Sequence, residues 1–148
     1  MRNPTEIIQA RTEHFLNACR EQGVKITHQR LEIYRELASA GNHPDAVMVY
    51  KRVRKRIPTM SLDTVYRNLR LLEKIGLISI VGKSRERLRF DADLEPHHHF
   101  TCVKCWKICD FRSDDYKRLH WPEAAEAFGQ PLSVHLKVRG ICKNCQRG

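Results

Sequence analysis

Apolar residues in the first half of the chain recur at helical spacing, and capping or helix-ending residues break the pattern four times. Residues 5–22 carry Ile8, Phe15, Leu16 and Cys19 near helical spacing, with Gly23 beyond as a helix-ending residue. Thr27 is placed to cap a second helix bearing Leu31, Tyr34, Leu37 and Ala38 on one face, with Gly41 closing it. After the turn Asn42-His43-Pro44, Asp45 caps a third helix carrying Ala46, Val49 and Val53. That helix stops before Pro58, because proline disfavours the α conformation at Ile57. Ser61 caps a fourth helix reaching about Ile75, with Gly76 past its end. Val65, Leu69 and Leu72 form its apolar stripe, and Asp63, Arg67, Arg70 and Lys74 lie away from it.

The period then drops to two. Residues 77–81 read as a strand, Gly82-Lys83-Ser84 as a turn, and residues 87–91 alternate like a returning strand. Helices followed by a hairpin are the layout of a winged helix-turn-helix, in which the helix before the hairpin enters the DNA major groove. Charge sharpens that reading. The chain carries a formal net charge of +10, and residues 51–89 hold twelve Lys/Arg against three acids, so nearly all of the excess lies there. A concentrated basic segment calls for a polyanion, and phosphate neutralisation drives most nucleic-acid affinity. Tyr66, Arg67 and Arg70 are the candidate base-reading residues, with Arg85 and Arg87 as hairpin contacts to phosphate. For Tyr66, packing against the hairpin is the competing role.

From Asp91 the texture changes. Residues 91–96 read as a hinge between a DNA-binding domain (1–90) and a second domain (97–148). In the latter, residues 97–102, 107–111 and 132–141 are strand-like and 114–128 have helical character, with Pro122 either interrupting it or marking a helix start. The expected fold class is α+β: an N-terminal winged helix-turn-helix plus a small C-terminal α/β dimerisation module.

Two CxxC pairs, Cys102/Cys105 and Cys142/Cys145, mark this module. Zinc takes four soft ligands in a tetrahedron, and two such turns close a structural site. About fifty residues bury little core unaided, so a Cys₄ zinc suits the module as a staple. Disulfides or idle thiols are the alternative. No apolar run is long enough to span a bilayer, and no secretory h-region opens the chain, so a cytoplasmic protein without a membrane partner is expected. In that compartment paired cysteines bind metal. Of the remaining thiols, Cys19 falls on an apolar helix face and reads as core, while Cys109 should point away from its neighbour Asp110.

A second constellation surrounds the consecutive His97, His98 and His99. On a strand His97 and His99 share a face and can chelate one ion. Asp110 can return beside them, Asp91 sits at the hinge, and His43 lies in the turn of the DNA-binding half. A His₃Asp₂ set has no thiolate and favours Fe²⁺ or Mn²⁺. A His-x-His pair with no metal role, and a turn that is only a turn, remain open from spacing alone.

Over residues 10–146 the chain resembles the ferric uptake regulator (Fur) family of metal-responsive repressors. The resemblance rests on Ile26-Thr27-His28-Gln29-Arg30, Asp63-Thr64-Val65-Tyr66-Arg67-Asn68-Leu69, the run His97 to Cys105, and the Cys142/Cys145 pair. It implies structural zinc on Cys102, Cys105, Cys142 and Cys145, and a sensing ion on His43, Asp91, His97, His99 and Asp110. It also implies a homodimer on double-stranded DNA, with an AT-rich inverted repeat as operator. Aspartate at 91 and 110, where iron sensors carry glutamate, resembles the peroxide-sensing PerR branch. There Fe²⁺ and H₂O₂ oxidise a ligating histidine, and His43 and His97 match the oxidisable positions. The alternative within the family is a sensor of iron or zinc availability without oxidation chemistry.

Three positions depart from the family pattern. His28 replaces a proline at a helix start that Thr27 can still cap, and Trp106 replaces the glycine after the first CxxC. A third metal site found in some members is not matched: Lys117 stands near its glutamate position and His135 is one residue out of step. Asp114 or Asp115 with His135 would make only a weak variant. An enzyme is not expected. A metal-dependent nuclease needs an open coordination position and a general base, and no glutamate lies in the cluster. A zinc-stapled protein-interaction module is the remaining alternative, and it would not bind DNA.

Overall fold

Asn3 opens the first helix, α1 (Pro4–Glu21), with a capping box in which its own N–H donates to Glu6. Pro4 at the first helical position starts it one residue ahead of Thr5. Thr27, Asp45 and Ser61 cap α2 (His28–Ser39), α3 (Ala46–Val53) and α4 (Leu62–Lys74), each accepting from a backbone N–H three residues on. The computed structural model describes residues 3–84, 86–115, 120–132, 134 and 136–148. It divides into two compact units, Met1–Leu94 and Glu95–Gly148. Among the described residues no helix is long and apolar enough to cross a membrane.

The first unit is built on the apolar faces read from the sequence. Phe15 and Cys19 of α1, Tyr34, Leu37 and Ala38 of α2, Val49 and Val53 of α3, and Val65, Leu69 and Leu72 of α4 are all buried together, joined by Ile33, which the pattern did not single out, while Leu31 is only partly buried. Phe15 and Tyr34 stack with ring centroids 4.9 Å apart. β1 (Ser79–Ser84) and β2 (Arg87–Asp91) form the antiparallel hairpin, with a register shift between Ile80 and Gly82. The first strand starts two residues later than the sequence pattern suggests and runs on through Gly82-Lys83-Ser84, expected above as a turn but paired here with Arg89, Leu88 and Arg87. Gly76 takes φ +79° and the Leu77 N–H returns to the Leu72 carbonyl, so Leu77 and Ile78 close the helix end inside the core.

In the second unit β3 (His98–Cys102) is central, antiparallel to β4 (Ile108–Phe111) and parallel to β5 (Lys137–Gly140). Between β4 and β5 the sequence suggested helical character over 114–128, interrupted or started at Pro122. Among the described residues only α5 (Glu123–Glu126) is α-helical there, directly after Pro122, which cannot sit inside a helix. Of the strand expected over 132–141, Lys137–Gly140 are strand among the described residues, and Ser133 and His135 lie outside them. A short helix not foreseen from the sequence, α6 (Lys143–Arg147), carries Cys145. Cys102, Ile108 and His98 are the buried residues described in this unit, while Phe128 and Leu132 are 92% and 87% exposed. So thin a core fits a unit closed by metal.

Candidate metal centres and nucleic-acid interface

The β3–β4 hairpin and α6 bring the four cysteines together. Their Sγ atoms all lie within 4.8 Å of one another. Cys102 is buried at the end of β3, its sulfur accepting from the Cys142 N–H at 3.4 Å, and the Cys105 and Cys142 sulfurs are 3.7 Å apart. Thiolates about 2.3 Å from one tetrahedral ion lie about 3.8 Å apart, whereas a disulfide needs about 2.05 Å. The spacing therefore matches zinc and is too wide for a bond. Backbone N–H groups of Cys105 and Cys142 hold the Cys102 thiol down at about 6. The sulfurs of Cys142 and Cys105 push Cys145 up to about 12. Four thiolates crowded this closely ask for a divalent cation. Trp106 adopts φ +62°, the left-handed conformation that glycine would take, and its N–H closes the turn onto the Cys102 carbonyl.

The sheet register explains the histidine cluster of the second unit. His99 pairs directly with Asp110 across β3 and β4. His97, one residue before the strand, turns its ring edge-on to His99, with the two Nε2 atoms 3.0 Å apart. These nitrogens lie 3.9 and 3.4 Å from Asp110 Oδ1. Donors about 2.1 Å from one ion and at right angles are about 3.0 Å apart, so the imidazole pair has the separation of two adjacent ligands. His97 Nδ1 faces the Glu95 carbonyl at 2.7 Å. A proton donated there leaves Nε2 its lone pair for metal. His98 points elsewhere, against the Phe111 ring.

In the first unit the 42–45 turn lies along β2. Asp45 bridges to Arg89, and the Phe90 N–H donates to the Pro44 carbonyl. Arg89 donates from Nε to the His43 carbonyl and from Nη2 to that of Asn42. His43, held at φ +47°, and Asp91 are both buried, with His43 Nδ1 3.6 Å from Asp91 Oδ2. The other Asp91 oxygen accepts from the Asp93 N–H at 2.8 Å. Sequence reasoning missed Arg89, because its partners are main-chain carbonyls more than forty residues away. Apart from the cysteine cluster, the candidate donors in each unit are imidazole or carboxylate, a chemistry that fits Fe²⁺ or Mn²⁺.

On α4, Tyr66, Arg67 and Arg70 are exposed. Tyr66 also borders a cavity of about 240 Å³ shared with Leu69, Ile80 and Leu88, so both roles weighed for it are open to its ring. Arg67 pairs along the helix with Asp63 at 3.1 Å, and Arg87 pairs with Asp45 at 3.6 Å. Arg85 lies outside the described residues, as do Lys117 and His135. Asp115 accepts from the Ser113 hydroxyl. Cys19 is buried in the core, and Cys109 is half-buried on β4.

The ferric uptake regulator family model matches residues 21–138. The peroxide-responsive repressor PerR of Staphylococcus epidermidis is 32% identical over 151 residues, spanning 95% of this chain and 94% of its own length. Its Staphylococcus aureus counterpart is 33% identical over 144 residues and 95% of each chain. Among solved structures, the Helicobacter pylori ferric uptake regulator Fur, described with three functional metal-binding sites, superposes with a TM-score of 0.76 at 28% identity. That match covers 94% of this chain and 93% of the other. PerR from Streptococcus pyogenes matches with a TM-score of 0.53 at 31% identity over 91% and 92%. Sequence and fold agree that the chain belongs to the ferric uptake regulator family.

Proposed function

We propose that this chain is a metal-dependent, DNA-binding transcriptional repressor that senses peroxide through its regulatory metal site. The observation that carries the reading is the convergence of His97, His99 and Asp110, with no thiol among the donors. The paired His43 and Asp91 in the other unit add to it. His43, Asp91, His97, His99 and Asp110 would hold one Fe²⁺ or Mn²⁺, and Cys102, Cys105, Cys142 and Cys145 a structural Zn²⁺. When bound, Fe²⁺ supplies the chemistry with H₂O₂ that adds oxygen to a ligating histidine, His43 or His97. Glu95 fixes the His97 ring, and the Asp93 N–H fixes one oxygen of Asp91, so both ligands are oriented before an ion arrives.

An ion taking ligands from both units favours one arrangement of them and shifts the population toward the DNA-binding form. By linkage DNA then tightens the ion equally. The exposed Phe128, Leu132 and Leu136 of the second unit support a two-fold homodimer. Two α4 helices, with Tyr66, Arg67 and Arg70 on bases and Arg85 and Arg87 on phosphate, would then read an inverted repeat, AT-rich as in the family. A DNA partner and reduced zinc thiolates together favour a cytoplasmic location. Regulation, not catalysis, is the activity this family reading supports.

The test is to load zinc-containing protein with Fe²⁺ under anoxia, add stoichiometric H₂O₂, and map added oxygen by peptide mass spectrometry. A Mn²⁺-loaded sample is the control. Oxygen on His43 or His97 in the iron sample alone is the expected result. Unmodified histidines in protein shown to hold iron would leave a sensor of metal availability.

A further inference from the structure

The two arginines that grip the linker between the units do so beside metal ligands. Arg11, on α1, donates from Nη1 to the Ala38 carbonyl at 2.7 Å and pairs through Nη2 with Asp93 at 3.4 Å. Both members of that pair are about four-fifths buried. The backbone N–H of the same Asp93 donates to Asp91 Oδ1, leaving Oδ2 toward His43. The second unit repeats the arrangement. Arg112, just past β4, donates to the Pro96 carbonyl at 2.9 Å and pairs with Glu95 at 3.5 Å. The carbonyl of that Glu95 faces His97 Nδ1, and Nε2 is thereby turned toward His99 and Asp110.

We propose that Arg11 and Arg112 are positioning residues for the regulatory metal site. Each clamps an acidic linker residue whose backbone aims the adjacent ligand, Asp91 in one unit and His97 in the other. The inference rests on the metal-site reading above. Stability is a poor explanation for the Arg112 pair, which is more than half exposed and so worth little as an ion pair. Orientation is a better one. In each case the guanidinium spans two acceptors, one a main-chain carbonyl and one a carboxylate, which its planar fork can do and a lysine ammonium does poorly. Groups of this kind behind a ligand fix its rotamer, and their loss typically weakens metal binding roughly 10- to 100-fold.

The experiment compares wild type, Arg11→Gln, Arg112→Gln, Arg11→Lys and Asp91→Ala as full-length, zinc-loaded protein. Mn²⁺ affinity is read from the free-ion electron paramagnetic resonance signal, without DNA. Exchange of the Asp93 amide proton is followed by NMR before any Mn²⁺ is added. Both Gln variants should weaken Mn²⁺ roughly 10- to 100-fold with zinc retained, and Arg11→Lys should fall between Arg11→Gln and wild type. The Asp93 amide should exchange faster in Arg11→Gln than in wild type. Arg11→Lys carries the test if Arg11→Gln does not fold. Wild-type Mn²⁺ affinity in the arginine variants, with binding lost in Asp91→Ala, would overturn the proposal while sparing the site. Wild-type affinity in Asp91→Ala itself would overturn the site reading and this inference with it.

Discussion

Arg89 of the hairpin donates from its side chain to the main-chain carbonyl of His43, a residue held at φ +47°. A left-handed, non-glycine residue persists only where its surroundings hold it, and Arg89 is half of that hold, with Pro44 the other. Burial lowers the Arg89 pKa and nearby Asp45 partly restores it, but the guanidinium remains charged at any working pH. Arg89→Ala removes the arginine donor from the part-buried His43 carbonyl, at a cost of about 1–3 kcal/mol. Urea unfolding of zinc-loaded protein should show that loss, with zinc content unchanged. A midpoint equal to wild type would mean that His43 keeps its turn without help.

The helical caps and apolar stripes were legible because they are local. Thr27, Asp45 and Ser61 cap the helices they precede, and the residues spaced three and four apart behind them are the buried ones. The two CxxC pairs and the His97/His99 face were legible for the same reason. The extent of helix in residues 114–128 was less legible: Pro122 marks where the described helix starts, but nothing local fixes its end at Glu126. Arg11, Arg89 and Arg112 were not legible, because their partners are set by tertiary register: an arginine bound to a carbonyl 46 residues away has no sequence signature.

Zinc affinity should rise with pH. Without metal, Cys102 is held at about 6 and is a thiolate at neutral pH, while Cys145, raised to about 12, keeps its proton. Zinc takes the thiolate form, so binding must expel the Cys145 proton throughout the range between those values. Each displaced proton makes affinity change about tenfold per pH unit. Below the Cys102 value a further proton must leave and the dependence steepens. Competition with a chromophoric chelator at pH 5.5, 6.5 and 7.5 measures the slope, after correction for the chelator's own protonation. A flat profile would show that the cluster is already fully ionised without metal.

Trp106 offers a backbone test at the first zinc turn. Its φ of +62° costs any residue with a Cβ about 1–2 kcal/mol relative to glycine. Trp106→Gly and Trp106→Ala remove the same indole contacts, so the difference between them isolates the backbone. The glycine variant should be more stable by about 1 kcal/mol or slightly more, read as thermal unfolding at fixed zinc. Equal stabilities would mean that the turn relaxes out of the left-handed region once the indole is gone.

Asn68 tests how the reading helix is held. It is buried on α4, where its amide donates back to the Thr64 carbonyl at 2.9 Å and its oxygen accepts from Arg30 Nε at 2.8 Å. Arg30, in the first turn of α2, also donates to the Lys25 carbonyl, so one guanidinium ties α4 to the start of α2. Asn68→Ala removes a hydrogen bond to a charged group, worth about 1.5–3 kcal/mol, and releases the end of α4 that carries Tyr66 and Arg67. Stability should fall by that amount and DNA affinity should fall with it. The slope of log affinity against log salt should stay as in wild type, because no phosphate contact is lost. An Arg87→Ala control, which removes a proposed phosphate contact, should flatten that slope. A flattened slope in Asn68→Ala would show instead that Asn68 or its neighbours meet the DNA backbone directly.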